Sequence, residues 1–216
     1  MQPFSIKTAF DFTASNPATA GHMALSGDVA LNTDAQIYSL RNLDFNADVQ
    51  QSHKKINLML SGNVLADLNR QTIQWTDFQS RTANLTLKGV MNIAQLTTNP
   101  LATGHVQLQP FDLKETLTEL GQPAANLQAA KNVTGDLDFS ASAKTISAQG
   151  NIRIETLQAA KLNISNLTVK ANFQNGVLDL APIVANLYQG NLNAEAKINV
   201  NSTTPRIALQ AKLLNI

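Results

Sequence analysis

Leu60-Ser61-Gly62-Asn63-Val64 sets an apolar residue on each side of a glycine, with one polar residue in each gap. The same apolar-x-Gly-x-apolar pattern stands at Leu25-x-Gly27-x-Val29, Leu87-x-Gly89-x-Met91, Val133-x-Gly135-x-Leu137, Ala148-x-Gly150-x-Ile152 and Tyr188-x-Gly190-x-Leu192. Residues two apart in an extended chain point to the same side, so the apolar residues and the glycine share one face. Repeated along almost the whole chain, the pattern predicts a repetitive sheet with one greasy face and little to cover it.

Alternation on one parity continues outside these pentads, which marks half-buried strands rather than helices. It is carried by Phe4, Ile6, Phe10 and Phe12; by Leu43, Phe45, Ala47 and Val49; by Ile56, Leu58 and Leu60; and by Leu85, Leu87, Met91 and Ile93. Beyond residue 132 it returns in Leu137, Phe139 and Ala141, in Ile146 to Ile154, in Leu162 to Phe173, in Leu178 and Leu180, in Leu192 to Val200, and in Ile207 to Leu213. Turns are expected at Asn16-Pro17, Asn32-Thr33-Asp34, His53-Lys54-Lys55 and Asn201 to Pro205, and Pro182 marks an edge, a bulge or an end. Gln71 to Arg81, with Ile73, Trp75 and Phe78, reads as a further strand in which Trp75 caps the apolar face. About a dozen strands result.

A glycine in mid-strand weakens it unless the sheet bends there or something approaches closely. The spacing predicts that Gly89 aligns with Gly104 and Gly135 with Gly150, folding the sheet lengthwise into a trough; the alternative is glycine packed beneath an aromatic ring or beside a bulge. One segment departs from the period. In Pro110-Phe111-Asp112-Leu113-Lys114-Glu115-Thr116-Leu117-Thr118-Glu119-Leu120-Gly121, three leucines fall at helical spacing, Asp112 and Glu115 form a capping-box-like pair, and Gly121 with Pro123 is a stop. This predicts a short amphipathic helix near 112–120, docked over an end or edge of the sheet, with Leu127 to Lys131 adding a second helical turn. The expected architecture is mainly β: a long, curved, antiparallel-rich sheet forming an open trough. It reads as one domain over 1–216, with strands over 1–110, a helical insert over 111–131 and strands over 132–216.

Composition narrows the function. The 216 residues are 44% hydrophobic and only 14% charged, with net charge +1, so nothing attracts nucleic acid broadly. Cysteine is absent, which removes disulfides, thiolate catalysis and cysteine metal sites. No apolar run is long enough to span a bilayer, and Met1-Gln2-Pro3-Phe4 lacks the blocks of a signal peptide. Alternation already under way by Phe4, and a last strand without a polar tail, predict a piece of a longer protein.

His22, His53 and His105 stand far from one another, so no metal or cofactor is expected. Asp136 with Asp138, and Asp44 with Asp48, fall on the polar parity of their strands as solvated surface. No phosphate-cradling loop or nucleophile elbow occurs. Enzymatic function is not expected. The Asn-x-Ser/Thr triplets at Asn84, Asn132, Asn163, Asn166 and Asn201 follow from alternating composition.

Three stretches resemble the AsmA family of bacterial envelope proteins, which is related to bridge-like lipid-transfer and TamB-type proteins: the 111–121 segment, Val133-x-Gly135-x-Leu137, and above all Asn175-Gly176-Val177-Leu178-Asp179-Leu180-Ala181-Pro182-Ile183-Val184-Ala185-Asn186-Leu187-Tyr188-Gln189-Gly190-Asn191-Leu192. Pro205-Arg206-Ile207-Ala208-Leu209 also fits. The likeness covers roughly 105–216, and Gln189 replaces the first glycine of the family's Tyr-Gly-Gly-like turn. It implies a periplasmic portion of an inner-membrane-anchored protein whose apolar groove carries phospholipid between membranes, with membrane contact through an anchor that is absent here.

The residues point the same way less specifically, because acyl chains need apolar surface without hydrogen-bonding partners. The expected lipid-binding lining is Leu25, Val29, Leu58, Leu60, Val64, Leu85, Leu87, Met91, Leu137, Phe139, Ile152, Ile154, Leu162, Ile164, Val169, Phe173, Leu192, Ile198, Ile207 and Leu209, each of which could equally be core beneath a second sheet. The expected partners are phospholipid or another acyl lipid, together with envelope proteins. The alternative function is a scaffold or chaperone-like module for outer-membrane protein assembly, offering sheet edges to incoming strands.

Overall fold

The structure is a computed structural model that describes residues 3–15, 18–51, 54–124, 127–160, 162–201 and 206–214. The turn expected at Asn16-Pro17, His53 and the turn residues 202–205 lie outside the described residues.

Thirteen strands form a single antiparallel sheet in chain order, and it is not closed into a barrel. They are β1 (Phe4–Ser15), β2 (Ala18–Asn32), β3 (Ile37–Gln51), β4 (Lys54–Asp67), β5 (Thr72–Thr82), β6 (Leu85–Ala94), β7 (Leu101–Phe111), β8 (Leu127–Ala141), β9 (Ile146–Ala159), β10 (Leu162–Gln174), β11 (Val177–Leu187), β12 (Gly190–Asn199) and β13 (Arg206–Leu214). Among the described residues one helix, α1 (Leu113–Glu119), stands between β7 and β8. Among the described residues each strand pairs antiparallel with the next in sequence, so strands adjacent in sequence are adjacent in space.

The helix ends as its sequence dictates. The Asp112 carboxylate accepts from the amides of Lys114 and Glu115 at 2.9 and 3.1 Å. At the other end Gly121 takes φ +66°, its amide donates to Thr118 O at 2.9 Å, and the Gln122 amide donates to Leu117 O at 2.7 Å, which is the Schellman arrangement. Glu115 does not close a capping box; its carboxylate accepts from Asn84 Nδ2 instead, at 3.1 Å. The second helical turn expected over Leu127 to Lys131 is corrected: β8 already starts at Leu127, and Ala130 pairs with Leu157 of β9. Tertiary pairing overrides the helix preference of an Ala-rich stretch.

The glycine alignment is also corrected. Gly89 pairs with Val106 and Gly104 with Met91; Gly135 pairs with Ile152 and Gly150 with Leu137. Each glycine thus faces a large side chain, which fills the gap that two opposed glycines would leave. An alanine Cβ at Gly21 would lie 2.5 Å from the Phe12 ring, and one at Gly104 2.6 Å from the Phe139 ring, so these glycines lie beneath aromatics. Gly89 and Gly150 mark close backbone approach: a Cβ there would meet the carbonyl oxygen of His105 at 2.1 Å and that of Asp136 at 2.0 Å.

Bulges supply the second bending device. Register shifts fall between Leu40 and Leu43 in β3 and between Trp75 and Phe78 in β5, and Asn42 and Asp77 within them take φ of 51° and 53°. Further shifts follow in β7 between Leu108 and Phe111, and in β11 between Leu180 and Ile183, where Pro182 sits. The first two bulges belong to an internal repeat. Leu25-Ser26-Gly27-Asp28-Val29 returns as Leu60-Ser61-Gly62-Asn63-Val64, Asn32 as Asp67, Gln36 as Gln71 and Asn42 as Asp77, all at one constant spacing. The side chains of Asn32 and Asp67 accept from the amides of Ala35 and Arg70 at 3.0 and 2.9 Å, so the two turns are built alike.

The repeated polar residues join across five strands. Ser5 Oγ donates to Asp28 Oδ1 at 2.5 Å, Asn42 Nδ2 donates to Asp28 Oδ2 at 2.8 Å, the Asn42 amide donates to Asn63 Oδ1 at 3.0 Å, and Asn63 Nδ2 donates to Asp77 Oδ2 at 2.9 Å. Asn42 and Asn63 stand between the carboxylates of Asp28 and Asp77, so each carboxylate accepts from a carboxamide N–H. The Ser5 hydroxyl first, and then the Asn42 side-chain Nδ2–H, hold the Asp28 carboxyl below its ordinary value of 3.8. A carboxyl depressed in the folded state stabilises the fold above its unfolded pKa, and that contribution is lost as pH falls through the folded value. Urea titrations of the native chain and Asp28→Asn should therefore differ by a constant midpoint well above pH 3.8, with the difference shrinking below it. A difference independent of pH would exclude this ladder as a charge-assisted link.

Candidate apolar trough

Residues paired across antiparallel strands project to the same face. Followed strand by strand, one row reads Phe4, Val29, Leu40, Val64, Trp75, Met91, Gly104, Phe139, Ala148, Phe173, Leu178, Ile198 and Ile207. No polar side chain except the indole N–H interrupts it in thirteen strands. A parallel row runs through Leu25, Phe45, Leu60, Ser80, Leu87, Leu108, Gly135, Ile152, Val169, Ile183, Ala194 and Ala211. At about 4.8 Å per strand the contour of the first row approaches roughly 57 Å.

The opposite face is polar. His22 Nδ1 lies 2.8 Å from Asp11 Oδ1, and His105 Nδ1 lies 2.8 Å from Asp138 Oδ1. Lys197 Nζ lies 3.1 Å from Asp179 Oδ1. The carboxylates read as solvated surface have partners here: Asn57 Nδ2 donates to Asp48 at 2.8 Å, Asn46 Nδ2 to Asp44 at 2.8 Å, and Asn151 Nδ2 to Asp136 at 3.3 Å. Among the described residues no group of three His, Cys, Asp or Glu is placed to hold a metal ion.

Curvature shields the apolar face without closing over it. In β10 and β12 the inner residues Val169, Ala171, Phe173, Ala194, Ala196 and Ile198 are half-buried, whereas the outer Lys170, Asn172, Gln174, Glu195 and Lys197 are exposed. Among the described residues the buried apolar side chains are those of Ala47, Ala130, Val133 and Ala185, joined by one buried polar residue, Thr116. The accessible surface is 13960 Å², against about 9,700 Å² expected of a compact monomer of 23.3 kDa. Apolar surface that a globular protein would cover with a second layer is left open here.

All twenty residues expected to line the trough lie on this one face, and none of them is buried. Leu25, Val29, Leu60, Val64, Leu87, Met91, Phe139, Ile152, Val169, Phe173, Ile198 and Ile207 stand in the two rows above. Leu58 and Leu85 pair with Thr82, and Leu137 and Leu209 belong to the row between the first two. Ile154 pairs with Val133, Ile164 with Leu157 and Leu187, Leu162 with Ala159, and Leu192 with Ala185. Leu137, Ile152, Leu162, Ile207 and Leu209 are exposed and the rest half-buried.

Sequence reasoning left Leu40, Trp75 and Phe78 out of this lining. Their parity is broken by the bulges, so Trp75 and Phe78, three apart, share the apolar face with ring centroids 4.9 Å apart at 78°. The signal that could have found them is the returning Asn42 and Asp77, short polar residues of the kind that tolerate positive φ. Trp75 is part of the surface rather than a cap over it: Nε1 is buried without a hydrogen-bond partner and lies over Gly62.

A family model described as the AsmA family matches residues 6–216. No curated protein matches, and no solved structure matches.

Proposed function

Since the chain belongs to the AsmA family, we propose that it is a lipid-handling module of the bacterial envelope, shielding phospholipid acyl chains in its apolar trough between the inner and outer membranes. The observation that carries this reading is the row from Phe4 to Ile207, apolar on every strand and covered by no second layer. Acyl chains gain by leaving water and ask for no hydrogen bonds, while a trough open along its length leaves head groups wet. A contour of about 57 Å exceeds the roughly 30 Å hydrocarbon core of a bilayer, so several chains fit along it. In this reading the protein acts by binding, without a cofactor, as the periplasmic portion of an inner-membrane-anchored protein.

Native mass spectrometry with lipid extraction, on the chain purified from bacterial cells, tests the proposal. Co-purifying phospholipid is the expected result. A lipid-free, stably folded protein would transfer the weight to a scaffold for outer-membrane protein assembly. The open edges favour that second reading: β1 and β13 each pair on one side alone, and every side chain described in β13 is exposed. Cross-linking would then recover polypeptide clients on those edge strands.

A further inference from the structure

Helix α1 is the one described element that leaves the sheet, and it does not simply end a hairpin. It departs from Phe111 at the end of β7 and returns through Gly121 to Ala124 into β8. On the way it reaches back past β7 to the β5–β6 turn. There Asn84 holds it with side-chain bonds: Thr116 Oγ1 donates to Asn84 Oδ1, while Asn84 Nδ2 donates to Glu115 Oε2 at 3.1 Å and to Asp112 O at 3.3 Å. Leu120 borders a cleft with Ile56 and Thr82, so the helix reaches from β8 to β4 along one rim of the trough. Lys114 Nζ adds a bond to Gln128 O at 3.1 Å.

The covered patch and the fastening differ in kind. Ala130 and Val133 of β8, with Thr116 of the helix, are among the few buried residues of the chain. The helix is tied to neighbouring strands through side-chain bonds and through Leu113, Leu117 and Leu120, which are only half-buried. A seven-residue helix has little stability of its own. Opening it would break a few polar links and leave the strand ladder whole.

We propose that α1 is a strap on one rim of the trough, midway along its length and latched by Asn84, whose release opens that rim for an acyl chain to pass. This rests on the lipid-handling reading for what passes, but not for the motion itself. Two measurements separate them. Native-state hydrogen exchange needs no lipid: the α1 amides should exchange through a local opening at least about tenfold faster than the paired amides of β8, and Asn84→Ala should speed them about tenfold more while β8 is unchanged. Equal protection of α1 and β8, moved together by Asn84→Ala, would overturn the strap.

The chain has no cysteine, so Asn84→Cys with Thr116→Cys can be joined selectively by a disulfide or a short bis-maleimide. Uptake of a fluorescent phospholipid from phosphatidylethanolamine–phosphatidylglycerol vesicles should be about tenfold slower in the joined protein than in the unjoined double variant. Equal rates would overturn gating by α1. If the native chain takes up no labelled lipid, the lipid reading falls and hydrogen exchange alone decides whether α1 opens.

Discussion

Alanine at position 62 is expected to lower the melting temperature by about 10 °C. Gly62 has φ +142°, a backbone state that side chains resist at a cost of about 1–3 kcal/mol. Its Cβ would also lie 2.4 Å from Trp75 Nε1 and 2.9 Å from Thr76 O, and overpacking of that kind costs about 1–3 kcal/mol. A total near 3 kcal/mol, at roughly 2–4 °C per kcal/mol for a chain of this size, gives the expected shift. Gly135→Ala is the control, since its closest contact would be Asn151 O at 3.0 Å and a small adjustment relieves it. Placing Gly62→Ala in a Trp75→Ala background separates the causes: the clash with the indole disappears while the backbone strain stays. Thermal melts showing equal, small losses for Gly62→Ala and Gly135→Ala would mean that the bulge opposite Gly62 relaxes freely.

Aspartate at Ile152 is expected to abolish lipid retention and leave the fold standing. Ile152 sits mid-row between Gly135 and Val169, yet its side chain is 40% exposed, so a carboxylate there stays hydrated when the trough is empty. With an acyl chain laid over it the charge would lose water and gain no partner, a penalty of several kcal/mol. Co-purifying phospholipid should fall at least about tenfold, with a melting temperature within a few degrees of the native chain. Leu60→Asp in the same row should behave alike. Val133→Asp should not: at 4% exposure among the few covered residues, it would bury the charge in the folded chain itself and lose about 4 kcal/mol or more. Lipid retained by a folded Ile152→Asp protein would show that this row is not where the chains lie.

Much of the molecule was legible because its strands obey period two. Alternation identified nearly every strand, and the Asp112 to Gly121 signals placed the helix within a residue of its observed ends. Errors gathered where one parity stops describing one face. A bulge breaks the parity of Trp75 and Phe78 and so left them out of the lining, the Ala-rich composition of Leu127 to Lys131 suggested a helical turn, and Gly89 and Gly104 were aligned by assuming that equal residues pair. The internal repeat escaped because its conserved chemistry is partly exchange, Asp28 for Asn63 and Asn42 for Asp77, which only the hydrogen-bond ladder makes meaningful.

The sequence by itself determined the alternation, the single capped helix and the greasy face, because each depends on spacing along the chain. Tertiary structure alone decided that thirteen short apolar runs join into uninterrupted rows, that the glycines lie beneath large neighbours, and that α1 reaches back to Asn84. Register, bulges and long-range hydrogen bonds set those features, and they act between residues that the sequence holds far apart.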